Sequence, residues 1–303
     1  MNRSAETSLI DVLGRRHEKL TLLLGNGVNR YGSSGRHNSW ADLLLDVANR
    51  HIPGVGDRLP SGVTATEVFD LSCLAAKSKD SEGLLQKEFC TSMASWRAYP
   101  HHERIVEWAR ERDHPILTTN FDQVLSESCN ANVYHHGNSK FTYYYPWATY
   151  FGLGEIQRPS SAFGIWHLHG MMRYHRSIRL GLTHYMGAVH QARRWIHRGG
   201  GRLFSSARAI DTWSGSGTWL DAFFNNDLLV IGLSLDEVEV FIRWLLLERS
   251  RLFKNFPSLR RRGWFVCTKD GVSPGRELFL RGVGLTPIRV KDYHEIYQST
   301  GWR

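Results

Sequence analysis

Two histidines one residue apart, His167 and His169, close an apolar run and are followed at once by Gly170. On an extended strand both rings would project to one face, where imidazoles can bind a metal or move protons. No Cys, Asp or third His stands beside them to complete a ligand set, so no metal is expected. Proton transfer is the better use, because histidine changes charge near neutral pH. His169, nearer the loop, is the stronger general-base candidate, and His167 the more ordinary core histidine. A second polar handover follows Ile116-Leu117, in Thr118-Thr119-Asn120-Phe121-Asp122. Thr119, Asn120 and Asp122 could face a cleft there while Phe121 packs inward; helix capping by Asn120 or Asp122 is the competing use.

Two glycine-containing segments could hold a phosphate or ribose. Gly25-Asn26-Gly27-Val28-Asn29 begins like a dinucleotide fingerprint, whose glycines let the backbone approach a pyrophosphate. The third glycine of that pattern is replaced by Arg30, and no acidic residue closes a second strand about twenty positions on. Asp42 and Asp46 fall on a predicted helix, so an ordinary NAD dehydrogenase is disfavoured. Gly232-Leu233-Ser234-Leu235-Asp236 offers amide donors and the Ser234 hydroxyl at another strand end, with Asp236 expected to cap the following helix. The run Tyr143-Tyr144-Tyr145-Pro146-Trp147 could wall a cleft or fill the core of a small lobe.

These segments need strands to carry them. Buried runs at Leu20–Leu24, Pro115–Thr119, Gly164–Leu168 and Leu228–Ile231 each end at one of them. Trp264–Cys267 and Leu285–Val290 read as two further strands around a helix near Pro274–Leu280. Amphipathic helices are predicted over Trp40–Asn49, capped by Ser39, and over His101–Glu111, Asp122–Ser128 and Asp236–Leu252. The section between Tyr134 and Phe163 reads as aromatic and turn-rich. Alternation of strands and helices predicts an α/β fold, a Rossmann-like parallel sheet flanked by helices. Sections of about 55–110 and 171–224 exceed a simple crossover and are expected to form an inserted, mainly helical lobe. The sheet core is then about 20–50, 112–130, 160–172 and 226–290, within one domain over 1–303.

Composition excludes more than it selects. With 303 residues, 42% hydrophobic and 22% charged, the chain is globular, neither repetitive nor disordered. The charged segment Met1–Lys19 lacks a signal-peptide core, and no stretch reaches the roughly 18–20 apolar residues of a membrane span. The richest run, near Val238–Leu247, is broken by Glu239 and Arg243. A cytoplasmic protein with no membrane partner is expected. Cys73, Cys90, Cys129 and Cys267 lack the two-residue pairing of zinc knuckles and read as free thiols. A net charge of +9 suits an anionic partner, so nucleic acid is a possible trigger; clusters such as Arg260-Arg261-Arg262 are equally at home on a solvated loop.

Taken in order, the four polar segments resemble the sirtuin superfamily, and more closely its bacterial sirtuin-like branch in antiphage defence. The resemblance implies that Gly25, Asn26, Gly27, Val28 and Asn29 lie along NAD, with Thr119 beside it. It implies that Asn120 and Asp122 handle the nicotinamide ribose and amide, that His169 is the general base, and that Gly232 and Ser234 bind the adenosine side. Protein-deacylating sirtuins carry a four-cysteine zinc module between the catalytic histidine and the Gly-x-Ser strand; positions 170–231 here contain no cysteine. Such enzymes also usually have alanine between the first glycines, where this chain has Asn26. The resemblance therefore implies hydrolysis of NAD, as substrate and without metal, to nicotinamide and ADP-ribose. An NAD- or ADP-ribose-binding sensor and a protein deacylase are the alternatives.

A free-running NADase would kill its host, so gating is expected. No sensor segment follows the last predicted strand, which favours a separate partner. The resemblance implies a homo-oligomer and, for some members, a HerA-type DNA-translocating ATPase or another separately encoded defence partner.

Overall fold

The computed structural model describes residues 7–15, 19–33, 39–137 and 145–303. Tyr143 and Tyr144 of the aromatic run lie outside the described residues.

Helix α1 (Leu9–Gly14) leads into β1 (Leu20–Leu24), followed by the single turn α2 (Gly27–Arg30). Four helices come next: α3 (Trp40–His51), α4 (Ala65–Ala75), α5 (Ser81–Met93) and α6 (Pro100–Arg110). Then follow β2 (Ile116–Thr118), the short α7 (Val124–Glu127), β3 (Asn132–His135), β4 (Thr149–Gly152) and β5 (Ile165–His167). Helices α8 (Leu182–His197) and α9 (Trp219–Asn225) precede β6 (Asp227–Ile231) and α10 (Val240–Asn255). The chain closes through β7 (Gly263–Thr268), α11 (Pro274–Gly282), β8 (Thr286–Val290) and α12 (Tyr293–Tyr297).

The strands form one sheet in the order β3-β4-β5-β2-β1-β6-β7-β8. Its six strands from β5 to β8 are parallel, while β3 and β4 are an antiparallel hairpin on the β5 edge. Read by chain order, the parallel part has the 3-2-1-4-5-6 arrangement of doubly wound nucleotide-binding sheets. Helices cover both faces because the central strands β1, β2, β5 and β6 are buried on both. Leu20, Leu22 and Leu24 of β1 join a core with α1, α6 and α12, whereas Leu23 joins one with α8, α9 and α10.

Three expectations change. The section between Tyr134 and Phe163, read as turns, contains the β3–β4 hairpin; its strands are only four residues each, too short for alternation to stand out. Asp236 is not a helix cap: α10 begins at Val240 with Glu239 at its N-cap, and the Asp236 carboxylate instead accepts from the Arg276 guanidinium. Of the expected helical lobe, α4 and α5 share an apolar cluster that Ile178 and Leu180 join, and α3, expected with the sheet core, packs there too. Helices α6, α8 and α9 pack on the sheet itself. Ser39 caps α3 as expected, its hydroxyl accepting from Asp42 N–H at 3.3 Å. Among the described residues, no helix is long and apolar enough to cross a membrane.

Candidate active site

The order of the sheet reverses between β1 and β6, so the connections after their carboxyl ends pass to opposite faces of the sheet and leave a crevice, the usual ligand position in such folds. A cleft of about 440 Å³ opens there, within the roughly 300–1,000 Å³ of small-molecule sites. Asn26, Gly27, Thr119, Gly232 and Ser234 line it, as the sequence predicts for ligand-binding residues. Its other walls come from elements that no motif flagged: Trp40 at the start of α3, Thr268 at the end of β7, Arg276 of α11 and Tyr297 of α12. Arg30, which replaces the fingerprint's third glycine, is exposed at the cleft's lip.

The glycines are there because two backbones touch. Gly25 N–H donates to Ile231 O (2.9 Å) and Gly27 N–H to Gly232 O (2.8 Å), clipping the β1 loop to the β6 loop. A Cβ on Gly27 would lie 2.6 Å from Gly232 Cα, and one on Gly25 would lie 2.4 Å from Gly232 O. Gly232 itself has φ +68°, a left-handed conformation that glycine adopts without a Cβ clash. Gly25 is thus buried beneath the cleft and leaves its lining to Asn26 and Gly27. Val28 and Asn29 also turn inward and are fully covered.

Asn29 anchors a buried chain of hydrogen bonds. Its Nδ2 donates to Asp122 Oδ2 at 2.7 Å, and its Oδ1 accepts from His102 Nε2 at 3.1 Å. His102 Nδ1 in turn accepts from Tyr99 N–H at 2.9 Å. Beside it, His101 Nε2 donates to Val28 O at 2.7 Å. The start of α6 therefore holds the first loop from below. Burial, with His101 alongside, pushes His102 down to about 3, so it stays neutral. The other Asp122 oxygen accepts from Val124 N–H at 3.0 Å, at the first residue of α7, whose N-cap position is taken by Gln123 and not by Asn120 or Asp122. Burial raises Asp122 to about 6 against the lowering effect of those two bonds.

Asn120 is gripped almost completely. Its N–H donates to Thr118 Oγ1 (3.1 Å), its carbonyl accepts from His167 Nδ1 (2.7 Å), and its Nδ2 makes a long contact of 3.4 Å to Gly25 O. Only Oδ1 is left, buried and without a partner among the described residues. His167 serves this grip; burial holds it neutral, near 4. The expected shared face of the two histidines does not form. His167 packs edge-on against Phe151, whereas His169, past the end of β5, lies among Phe121, Tyr185 and Phe241. Gly170 follows with φ +96°, where a Cβ would lie 2.2 Å from Ser177 O.

His169 is only 3% exposed, yet neither ring nitrogen has a hydrogen-bond partner among the described residues. Glu239, which does line the cleft, places Oε2 3.6 Å from His169 Nε2. Buried polar atoms are seldom left unpaired, and doing so costs about 1–3 kcal/mol each. Asn120 Oδ1, both nitrogens of His169 and the Tyr297 hydroxyl are such atoms, at or just behind the cleft. Asn120, Asp122 and His169 do not themselves line it. Among the described residues no group of His, Cys, Asp and Glu is placed to hold a metal ion.

Fold and site together define a Rossmann-like α/β protein with a ligand cleft at its topological switch point and unpaired polar groups behind it. No protein-family model matches the sequence, and no curated protein matches it.

The residues missed in the sequence were His101, His102, Glu239, Arg276 and Tyr297. For Glu239 a signal existed: it interrupts the most apolar run of the chain, as Arg243 does. Arg243 donates to Leu235 O at 2.8 Å and holds the Gly232–Asp236 loop. The others lie on helices whose approach to the cleft depends on the sheet order.

Proposed function

We propose that this chain is an NAD+ glycohydrolase, releasing nicotinamide and ADP-ribose, and that it acts as a gated antiphage-defence effector that depletes cellular NAD. The observation that carries this is a switch-point cleft with buried polar atoms behind it that have no partner among the described residues, Asn120 Oδ1 and the His169 ring nitrogens. A dinucleotide laid across Gly27 and Gly232 would bring its pyrophosphate close to backbone that carries no side chain there, and its adenosine toward Ser234. Nicotinamide is a cationic leaving group, and cleavage passes through an oxocarbenium-like state. Water oxygen bonds to the ribose anomeric carbon as the carbon–nitrogen bond breaks. Nicotinamide leaves neutral with the bonding pair, and the water gives up a proton.

Asn120 Oδ1 would orient that water or a ribose hydroxyl, and His169 would take the proton. Both Asp122 oxygens are already engaged, which favours the role of fixing the Asn29–Asn120 scaffold over contacting nicotinamide. Burial of Asn120 and His169 supports gating, because a ligand bound in the cleft must displace cover to reach them. We assign that opening to homo-oligomer assembly, to a HerA-type ATPase or another separately encoded partner, or to nucleic acid attracted by the +9 charge.

The same burial favours one second reading, a sensor that binds NAD or ADP-ribose in the cleft without cleaving it. Nicotinamide release from NAD by the purified protein, beside Asn120→Ala and His169→Ala, separates the two. The hydrolase releases nicotinamide and both variants lose it while still binding NAD. Tight binding of intact NAD, with and without DNA and neighbouring-gene partners, would leave the sensor.

A further inference from the structure

Glu239 is the side chain that joins the open cleft to the buried His169. Its carboxylate borders the cleft and is 14% exposed, while the His169 side chain is 4% exposed. Its place is held by backbone on both sides. Glu239 N–H donates to Asp236 O (3.0 Å), and its carbonyl accepts from Arg243 N–H (3.0 Å). Just before it, buried Leu235 has φ +51°, a strained conformation for a residue with a Cβ. Strain of this kind persists only where the surroundings over-determine it, and it gathers at functional sites.

Resting on the hydrolase reading, we propose that Glu239 is a positioning residue for His169. Its carboxylate accepts a hydrogen bond from Nε2–H and so selects the tautomer that leaves Nδ1 as the base. The 3.6 Å separation is longer than a hydrogen bond; such contacts commonly tighten when substrate binds. When Nδ1 takes the proton of the attacking water, the resulting imidazolium faces a carboxylate, the same division of labour as in a Ser-His-Asp triad. Nδ1 then gives its proton to water as the products leave, which restores the Nε2–H tautomer held by Glu239.

The other groups around the ring cannot substitute. Phe121 and Phe241 are uncharged. The Tyr185 hydroxyl is pushed well up by burial and then by the charge of Glu239, so it remains protonated. Arg179 reaches His169 through its backbone, N–H to His169 O at 2.8 Å.

The test uses the full chain with 15N-labelled histidine. Ring-nitrogen shifts of His169, assigned by comparison with His169→Ala, report its tautomer in wild type, Glu239→Gln and Glu239→Leu. Nicotinamide release gives kcat and KM for the same proteins. We expect Nε2–H in wild type and Glu239→Gln, and a mixture of tautomers in Glu239→Leu. Glu239→Gln should lower kcat at least about tenfold with KM within about threefold, because an acceptor remains but the countercharge is gone. A wild-type His169 spectrum in Glu239→Leu overturns the pairing, as does an unchanged kcat in Glu239→Gln. If the wild type releases no nicotinamide with or without DNA and neighbouring-gene partners, the hydrolase reading fails by itself, and the tautomer still decides whether Glu239 positions His169.

Discussion

Asn29 Nδ2 donates to Asp122 Oδ2 across 2.7 Å, joining the loop after β1 to the loop after β2. The direction of this bond is set far from it. Tyr99 N–H occupies His102 Nδ1, so His102 must donate from Nε2 to Asn29 Oδ1, and Asn29 must then donate onward to Asp122. Asp122 consequently has to present acceptors to both Asn29 and Val124 N–H. Asp122→Asn turns one acceptor into a donor and leaves one buried partner unpaired. Urea denaturation should show a loss of about 1–3 kcal/mol. Unchanged stability would mean the chain of bonds can reverse.

Acid should destabilise the fold from near neutrality. His102 near 3, His167 near 4 and a lowered His101 lie below histidine's ordinary 6.5, through burial in each case. Their contribution is complete above about 6.5 and is lost as pH falls toward those values, because the unfolded chain takes up protons first. Asp122 opposes them. Raised from 3.8 to about 6, it favours the folded state below 3.8 and loses that contribution as pH rises through 6. Three histidines outweigh one carboxylate, so Tm should fall between pH 6.5 and pH 4.5. In His167→Asn, whose amide can still donate to Asn120 O, the fall should be shallower. A flat Tm profile in wild type would contradict the buried neutral histidines.

His169 is expected to be dispensable for stability. Its ring nitrogens are buried without hydrogen-bond partners, so His169→Leu removes unsatisfied polar atoms and retains apolar volume among Phe121, Tyr185 and Phe241. Chemical denaturation should place this variant within about 1 kcal/mol of wild type, or above it, while nicotinamide release disappears. A large loss of stability would make His169 a structural residue.

Gly27→Ala should damage binding and folding together. The added Cβ meets Gly232 Cα at 2.6 Å, backbone against backbone, and the β1 and β6 loops must part. Overpacking of this kind costs about 1–3 kcal/mol, and calorimetry should show NAD affinity falling with it. Full affinity in a stable Gly27→Ala protein would show that the two loops are not tightly clipped.

β1, β2, β5, β6 and β7 were legible because burial on both faces leaves a nearly uninterrupted apolar run, and each is a strand of the sheet; β8, with Thr286 and Arg289 exposed, was read as a strand without one. Leu20–Leu24 matches β1 residue for residue. The hairpin of β3 and β4 was not legible. Its first strand is partly exposed, and its second pairs Phe151 with Ile165 only once the sheet has formed. Asp236 misled for a related reason: a carboxylate just past a strand resembles a helix cap until Arg276, forty residues on, claims it.

The sequence by itself determined the local chemistry: which strand ends carry small and polar residues, and that Asn120, Asp122 and His169 stand at them. Those properties depend on neighbours along the chain, and periodicity records them. Tertiary structure decided which of these residues meet the cleft. Asn26, Gly27, Thr119, Gly232 and Ser234 line it, Asn120 and His169 lie covered behind it, and Asp122 is committed to Asn29 and Val124. The order in which strands are laid side by side sets that division. Strand order is a matter of long-range pairing, and a single strand's sequence is equally apolar wherever in the sheet it is placed.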